Sequence, residues 1–167
     1  TSGIGRATAA ALAGAGARVV LAVRDPEKGA RVAAGLVGET EVRVLDLADL
    51  SSVRAFAEAW DGPIDVLVNN AGVSVPDLRR SVEGFELQLA TNHLGPFALT
   101  NLLLPYVPGR VVTLASQAER AARLDLDDLD WQRTPYQEFR AYAGTKQANL
   151  LFSAELQRRL VAAGSSV

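Results

Sequence analysis

Cysteine is absent from these 167 residues, which excludes a disulfide framework and any thiolate chemistry. Long hydrophobic runs are missing as well. None reaches the roughly 18–20 residues that a membrane-spanning helix needs, and no signal-peptide pattern is visible. Charge of one sign is also lacking: the formal net charge is −2, so nothing favours nucleic acid or an anionic membrane as partner. Histidine occurs once, at His93, too few for a His-rich metal site. The acidic stretch Asp125–Asp130 lacks the fifth-position ligand, the sixth-position glycine and the closing glutamate of a calcium loop. It reads as solvated loop, and no metal is expected. There is no serine-hydrolase elbow and no internal repeat. What is there is ordinary globular composition, 49% apolar and 22% charged. The length suggests one domain with one core, and the lack of cysteine fits the cytoplasm.

Strand and helix patterns alternate along the chain. Helices are expected at about 4–15, 26–37, 50–60, 83–105 and 139–163. Pro26 opens the second, Asp49 offers a cap to the third, and Gly164 stops the last. Strands are expected at Ala17–Val23, Val42–Leu45, Ile64–Val68 and Arg110–Leu114. The β-branched run Ile64–Val68 suits a parallel strand covered on both faces. This alternation implies βαβ units and an α/β fold with a doubly wound parallel sheet.

Several segments carry chemistry. The chain opens Thr1-Ser2-Gly3-Ile4-Gly5-Arg6 and runs into an alanine-rich helix. The first turn of a helix presents unpaired N–H groups and a positive dipole end, which suit a pyrophosphate. Gly3 and Gly5 would let the backbone approach it closely. The next strand ends Val23-Arg24-Asp25. An acidic residue there favours the ribose hydroxyls of NAD, whereas Arg24 suits the 2′-phosphate of NADP; Asp25 would otherwise cap the following helix. NADP is favoured, with NAD the alternative. Finally, Tyr142 and Lys146 stand one helical turn apart, so an ammonium lies beside a phenol. Such a charge favours the phenolate and makes the tyrosine a usable acid/base.

With Asn69-Asn70-Ala71-Gly72, Asn92-His93-Leu94-Gly95 and the strand-end Ser116, these motifs follow one another in a fixed order across nearly the whole chain. In that order they resemble the short-chain dehydrogenase/reductase (SDR) family. The resemblance implies a Rossmann-type fold with three α/β/α layers. It also implies oxidoreduction of a carbonyl/alcohol pair with a nicotinamide cofactor. By resemblance the catalytic residues are Asn92, Ser116, Tyr142 and Lys146. Tyr142 is the acid/base, and Lys146 binds the nicotinamide ribose. Ser116 orients the substrate oxygen, and Asn92 holds a relay water. Cofactor contacts fall to Ser2, Gly3, Ile4, Gly5, Arg24, Asp46, Leu47, Asn70, Ala71 and Gly72, together with Tyr142 and Lys146. Asn69 braces the sheet. His93 is read as structural, since the family accepts several residue types there.

The family motif Thr-Gly-x-x-x-Gly-x-Gly is represented here only by its last part, with Thr1 and Ser2 at variable positions. A first strand and a C-terminal part are expected outside this partial dinucleotide-binding domain. The long insert from Gln117 to Ala141, with Asp-Asp-Leu-x-Trp, looks like the retinol-dehydrogenase-like branch, which acts on apolar alcohols and carbonyls. Trp131, Tyr136 and Phe139 would then line an apolar pocket, or else simply pack the insert. The resemblance further suggests self-association through the helices at 83–105 and 139–163. Two other classes stay open: a non-catalytic dinucleotide-binding sensor, and a sugar-nucleotide epimerase or dehydratase on a related fold.

Overall fold

The computed structural model describes residues 2–165 and Val167, so Thr1 of the opening motif lies outside the described residues. The chain forms two compact units, Thr1–Asp46 and Leu47–Val167.

In the first unit, α1 spans Gly3–Gly14, β1 Val19–Val23, α2 Pro26–Ala33 and β2 Thr40–Val44. β1 and β2 pair in parallel, with Leu21 opposite Val42. Proline at the first turn and Asp25 as cap start α2; the Asp25 carboxylate accepts the Lys28 N–H at 2.9 Å. The helix ends at Ala33, four residues before the expected end. Tight turns take over there, with Gly35 N–H to Val32 and Leu36 N–H to Ala33.

In the second unit, α3 (Leu50–Glu58) is capped by Asp49, whose carboxylate accepts from the Ser51 and Ser52 amides. β3 (Val66–Asn69) pairs in parallel with β4 (Arg110–Thr113). Asn69 braces this ladder from below, donating to the Thr100 hydroxyl at 2.8 Å. Val66 remains 47% exposed, so the expectation that this strand is covered on both faces does not hold along its whole length. Among the described residues, the two ladders are separate two-stranded sheets.

The single helix expected over 83–105 differs most. Residues 81–85 form a turn instead, closed by Ser81 N–H to Phe85 and Gly84 N–H to Ser81. The helix begins at α4 (Leu87–Leu89), where the Glu86 carboxylate accepts the Gln88 and Leu89 amides at 2.9 and 2.6 Å. A π-helical turn follows at Ala90–Leu94, then α5 at Gly95–Leu103. Gly95 is required by packing. A Cβ there would collide with the carbonyl of Leu47 and come within 2.9 Å of that residue's own Cβ.

Strand β4 leads to a 3₁₀ turn at Gln117–Ala121, which the sequence patterns did not reveal, and α6 (Glu138–Ala162) closes the unit. The insert between them is solvent-exposed at Asp125–Asp127, as expected, and is also tied down by its aspartates. Asp128 accepts from the amides of Gln132, Arg133 and Thr134. Asp130 accepts the Glu86 N–H at 2.9 Å and lies 3.8 Å from Arg80. Trp131 adopts φ +54°, a left-handed conformation rare for a bulky residue. Its ring meets Tyr136 edge-on at 5.4 Å, with Arg140 at 5.7 Å from the ring centre.

Tyr136 is the hub of this region. Its hydroxyl accepts from Gln88 Nε2 at 2.5 Å and stands 3.1 Å from Glu86 Oε1 and 3.2 Å from the Val75 carbonyl. Its one proton can serve either acceptor. Burial, with Glu86 and Glu138 nearby, pushes the phenol up to about 12. Phe139 does not join it, being 59% exposed. Trp131 borders a cleft of only about 60 Å³ with Leu89, Leu124 and Arg140. Trp131 and Tyr136 therefore pack the insert instead of enclosing a pocket, and Phe139 does neither.

Two outcomes follow. Gly95→Ala should cost about 1–3 kcal/mol, the usual penalty of overpacking, read as a lowered midpoint in urea unfolding. Tyr136 titrates higher folded than unfolded, so its stabilisation is complete below about pH 10 and is lost as pH rises toward 12. Between pH 9 and pH 11 the wild-type chain should therefore lose more unfolding free energy than Tyr136→Phe, in paired urea melts.

Candidate active site

The second unit brings three of the four expected catalytic residues, Asn92, Tyr142 and Lys146, into one constellation. Lys146 is 4% exposed. Its ammonium donates to the Leu114 carbonyl at 3.2 Å and lies 5.4 Å from the centre of the Tyr142 ring. No ion pair neutralises it among the described residues, and burial lowers its pKa. A buried cation without a counter-charge is costly and marks a functional site more often than a structural one. Tyr142 itself is half-buried on the same face of α6.

Asn92 is 1% exposed and sits inside the π-helical turn, a local geometry common at functional positions. Its side-chain amide engages both backbone polar groups of one residue. Oδ1 accepts the Val73 N–H at 2.7 Å, and Nδ2 donates to the Val73 carbonyl at 2.9 Å and to the Thr145 hydroxyl at 3.2 Å. The side chain is thus spent on the loop after β3. The backbone carbonyl of Asn92 accepts from Asn149 Nδ2 at 3.1 Å, and the residue four ahead, Pro96, has no N–H to give it an α-helical bond.

That loop is fastened residue by residue. Val73 is held by Asn92, the Ser74 hydroxyl donates to Glu138 at 2.7 Å, and the Val75 carbonyl lies at the Tyr136 hydroxyl. At its start, Asn70 Oδ1 is buried without a partner among the described residues. Gly72 supplies the remaining feature. A Cβ there would stand 3.5 Å from Lys146 Nζ and 3.4 Å from Asn92 Oδ1, so glycine keeps open the space beside the ammonium. An orphaned acceptor, an open backbone and a lone cation suit a polar cofactor rich in hydroxyls and amides.

Ser116 follows β4 in extended conformation, half-buried, with its Oγ accepting the Ala118 N–H at 3.2 Å. It caps the 3₁₀ turn, and its hydroxyl proton stays free to orient an oxygen. The sequence did not single out Glu86 or Gln88, which together with Tyr136 fix the surroundings of this constellation. Only the buried structure reveals them, because a glutamate and a glutamine ahead of a helix read as ordinary surface residues.

The expected cofactor contacts of the first unit lie at the start of α1 and the end of β1. Gly3 opens α1 with φ +55°. Ser2 makes no side-chain cap and no acidic residue enters the first turn, so the helix terminus keeps its positive character for an anion. Ile4 is 69% exposed there. Arg24 is exposed, whereas Asp25 is engaged in capping α2. Asp46 is half-buried at the end of the unit, and Leu47 begins the second unit, backing onto Gly95. No cluster of candidate metal ligands exists among the described residues. None of their helices is long and apolar enough to cross a membrane.

Comparison with known proteins places the chain among its relatives. The family model for short chain dehydrogenases matches residues 1–127. Human dehydrogenase/reductase SDR family member 13 is 48% identical over 98% of this chain and 46% of its own length. Human retinol dehydrogenase 13 is 43% identical over 99% of this chain and 54% of its own. The chain thus spans about half the length of the curated relatives it matches. A crystal structure of an uncharacterized protein from Mycobacterium Paratuberculosis is 54% identical, with a TM-score of 0.95 over 98% of this chain and 61% of that one. A metagenomic short-chain oxidoreductase solved in complex with NADP is 30% identical, with a TM-score of 0.73 over 96% of this chain and 73% of that one. The chain therefore belongs to the short-chain dehydrogenase/reductase family, with its Rossmann-type α/β fold, and to the retinol-dehydrogenase-like branch within it.

Proposed function

We propose that this chain is the core of an NADP-dependent oxidoreductase acting on a carbonyl/alcohol pair, with Tyr142 as the acid/base. The observation that carries this reading is the uncompensated Lys146 ammonium, buried beside Tyr142 and facing the space that Gly72 leaves open. Lys146, Asn70, Ala71 and Gly72 would hold the nicotinamide half of the cofactor. Ser2, Gly3, Ile4, Gly5, Asp46 and Leu47 would serve the phosphate and adenine side. When bound, the cofactor supplies or accepts the hydride.

The protein's part is positioning and proton transfer. In the reducing direction, the Ser116 hydroxyl donates a hydrogen bond to the substrate oxygen and fixes it next to the Tyr142 hydroxyl. Tyr142 gives that oxygen its proton as the carbonyl carbon gains the hydride, leaving a phenolate. Lys146 stabilises the phenolate by its charge and passes a replacement proton toward it. The second lone pair of the Asn92 carbonyl is the anchor for a water that links Lys146 to solvent. Oxidation of an alcohol runs the same steps backwards. The relatives' names and the branch support an apolar substrate.

NADP is favoured because Asp25 is spent on capping α2 while Arg24 is left exposed at the end of β1. Such a guanidinium pairs bidentately with a phosphate.

Tyr142→Phe should lower turnover of an apolar aldehyde such as decanal by roughly a hundredfold or more, the scale of a lost proton donor, while NADPH binding followed by nicotinamide fluorescence stays close to wild type. Undiminished turnover would sink the mechanism. Titration should also give tighter binding of NADPH than NADH, and Arg24→Ala should erase that difference by weakening NADPH alone. A wild-type preference for NADH would instead assign the ribose to Asp25.

A further inference from the structure

The buried polar side chains around Lys146 include two that the proposed chemistry does not use. Asn149 lies on α6 three residues beyond Lys146 and is 4% exposed. Its Nδ2 donates to the Asn92 carbonyl at 3.1 Å and to the Leu114 carbonyl at 3.4 Å. The Leu114 carbonyl is also the acceptor of the Lys146 ammonium. The Asn92 carbonyl receives no α-helical bond from the residue four ahead, because that residue is Pro96. One amide thus touches both backbone oxygens on which the placing of Lys146 and its relay depend.

The orientation of that amide is itself fixed. Asn149 Oδ1 stands 3.0 Å from Nδ1 of His93, the residue beside Asn92. With Nδ2 committed as donor to two carbonyls, Oδ1 must be the acceptor, so the hydrogen-bond network assigns the imidazole proton to Nδ1. The imidazole is gripped by Phe97 at 6.0 Å and by Phe152 edge-on at 6.4 Å. Burial lowers its pKa, in keeping with a neutral ring that donates from one nitrogen only.

We infer that His93 and Asn149 form a positioning pair for Lys146: His93 orients the Asn149 amide, and that amide holds the Leu114 and Asn92 carbonyls where the ammonium and its relay need them. Neither residue touches cofactor or substrate. The inference rests on the functional reading above for its consequence, but its geometry does not. Removing the amide frees two buried carbonyls, and the Leu114 oxygen becomes an acceptor for the ammonium alone. Misplacement of a catalytic group on the ångström scale costs up to about a hundredfold in rate.

The test uses the full chain with lysine labelled at Cε. This sequence has two lysines, Lys28 and Lys146, so the Lys146 signal is assigned by its loss in Lys146→Arg. In Asn149→Ala and His93→Phe, the Lys146 signal should move from its wild-type position, and NADPH affinity should fall by roughly tenfold, a modest part of that range. His93→Gln, which keeps a donor for Asn149 Oδ1, should bring both back toward wild type. Phe56→Leu loosens core packing on α3, where Phe56 stacks on Trp60 away from the amide chain; it should lower the melting temperature and leave the Lys146 signal in place. The pair is refuted if Asn149→Ala and His93→Phe leave the Lys146 signal and NADPH affinity unchanged, or if Phe56→Leu displaces them equally. Should Asn149→Ala not fold, His93→Phe against His93→Gln decides. A wild-type chain that binds no NADPH would overturn the functional reading, while the Lys146 signal would still judge the pair.

Discussion

A single ammonium, buried with a carbonyl for company and no counter-ion, is the constraint around which the second unit is arranged. Desolvation of a lone charge is among the largest penalties a small fold can carry. The structure contains it by making everything nearby rigid. The oxygen that accepts it belongs to the residue just after strand β4, and the loop opposite is fastened at three successive residues. The helix that carries it is locked to the π-helical turn through Asn149 and Thr145. Gly72 then leaves space beside the charge, where a Cβ would stand 3.5 Å from Lys146 Nζ.

The irregular turn at Ala90–Leu94 follows from the same need. A regular helix would direct the Asn92 carbonyl to the residue four ahead. With Pro96 there, the bond is absent, and the oxygen turns to a partner from α6 instead. The turn also sets the Asn92 amide against both polar groups of Val73, so one side chain replaces a pair of strand-like hydrogen bonds in a loop that has no strand to join.

Much of this was legible in the sequence, and the legible part has a common character. Elements with strong local signals came out within a few residues. Pro26 and Asp25 started α2, Asp49 started α3, and the β-branched runs gave β3 and β4. The Tyr142–Lys146 spacing followed directly from helical periodicity. The failures were places where a long-range polar contact overrode local pattern. Residues 83–86 look helical, but Glu86 caps the helix from outside it, and Asp130, 44 residues away, caps Glu86 in turn. The run of aspartates from Asp125 reads as a solvated loop and is exposed at its start, but Asp125, Asp128 and Asp130 also anchor it by accepting from backbone amides. Tyr136 looked like a pocket wall because aromatic residues near a site suggest one, yet its hydroxyl is claimed by Gln88, Glu86 and Val75. His93 reads as structural, and the contact it makes was invisible until Asn149, 56 positions on, was seen beside it.

The fastening of the loop after β3 has a consequence for how such a chain can change over generations. At Val73 and Val75 the bonds run to backbone atoms, which every amino acid other than proline possesses in full. Only at Ser74 is a side chain read. Substitutions at 73 and 75 can therefore alter the lining of the site without loosening its frame, whereas Asn92 and Tyr136, which do the fastening from elsewhere, have no such latitude. Sequence is free to drift there on a scaffold whose fixed points lie outside the drifting segment.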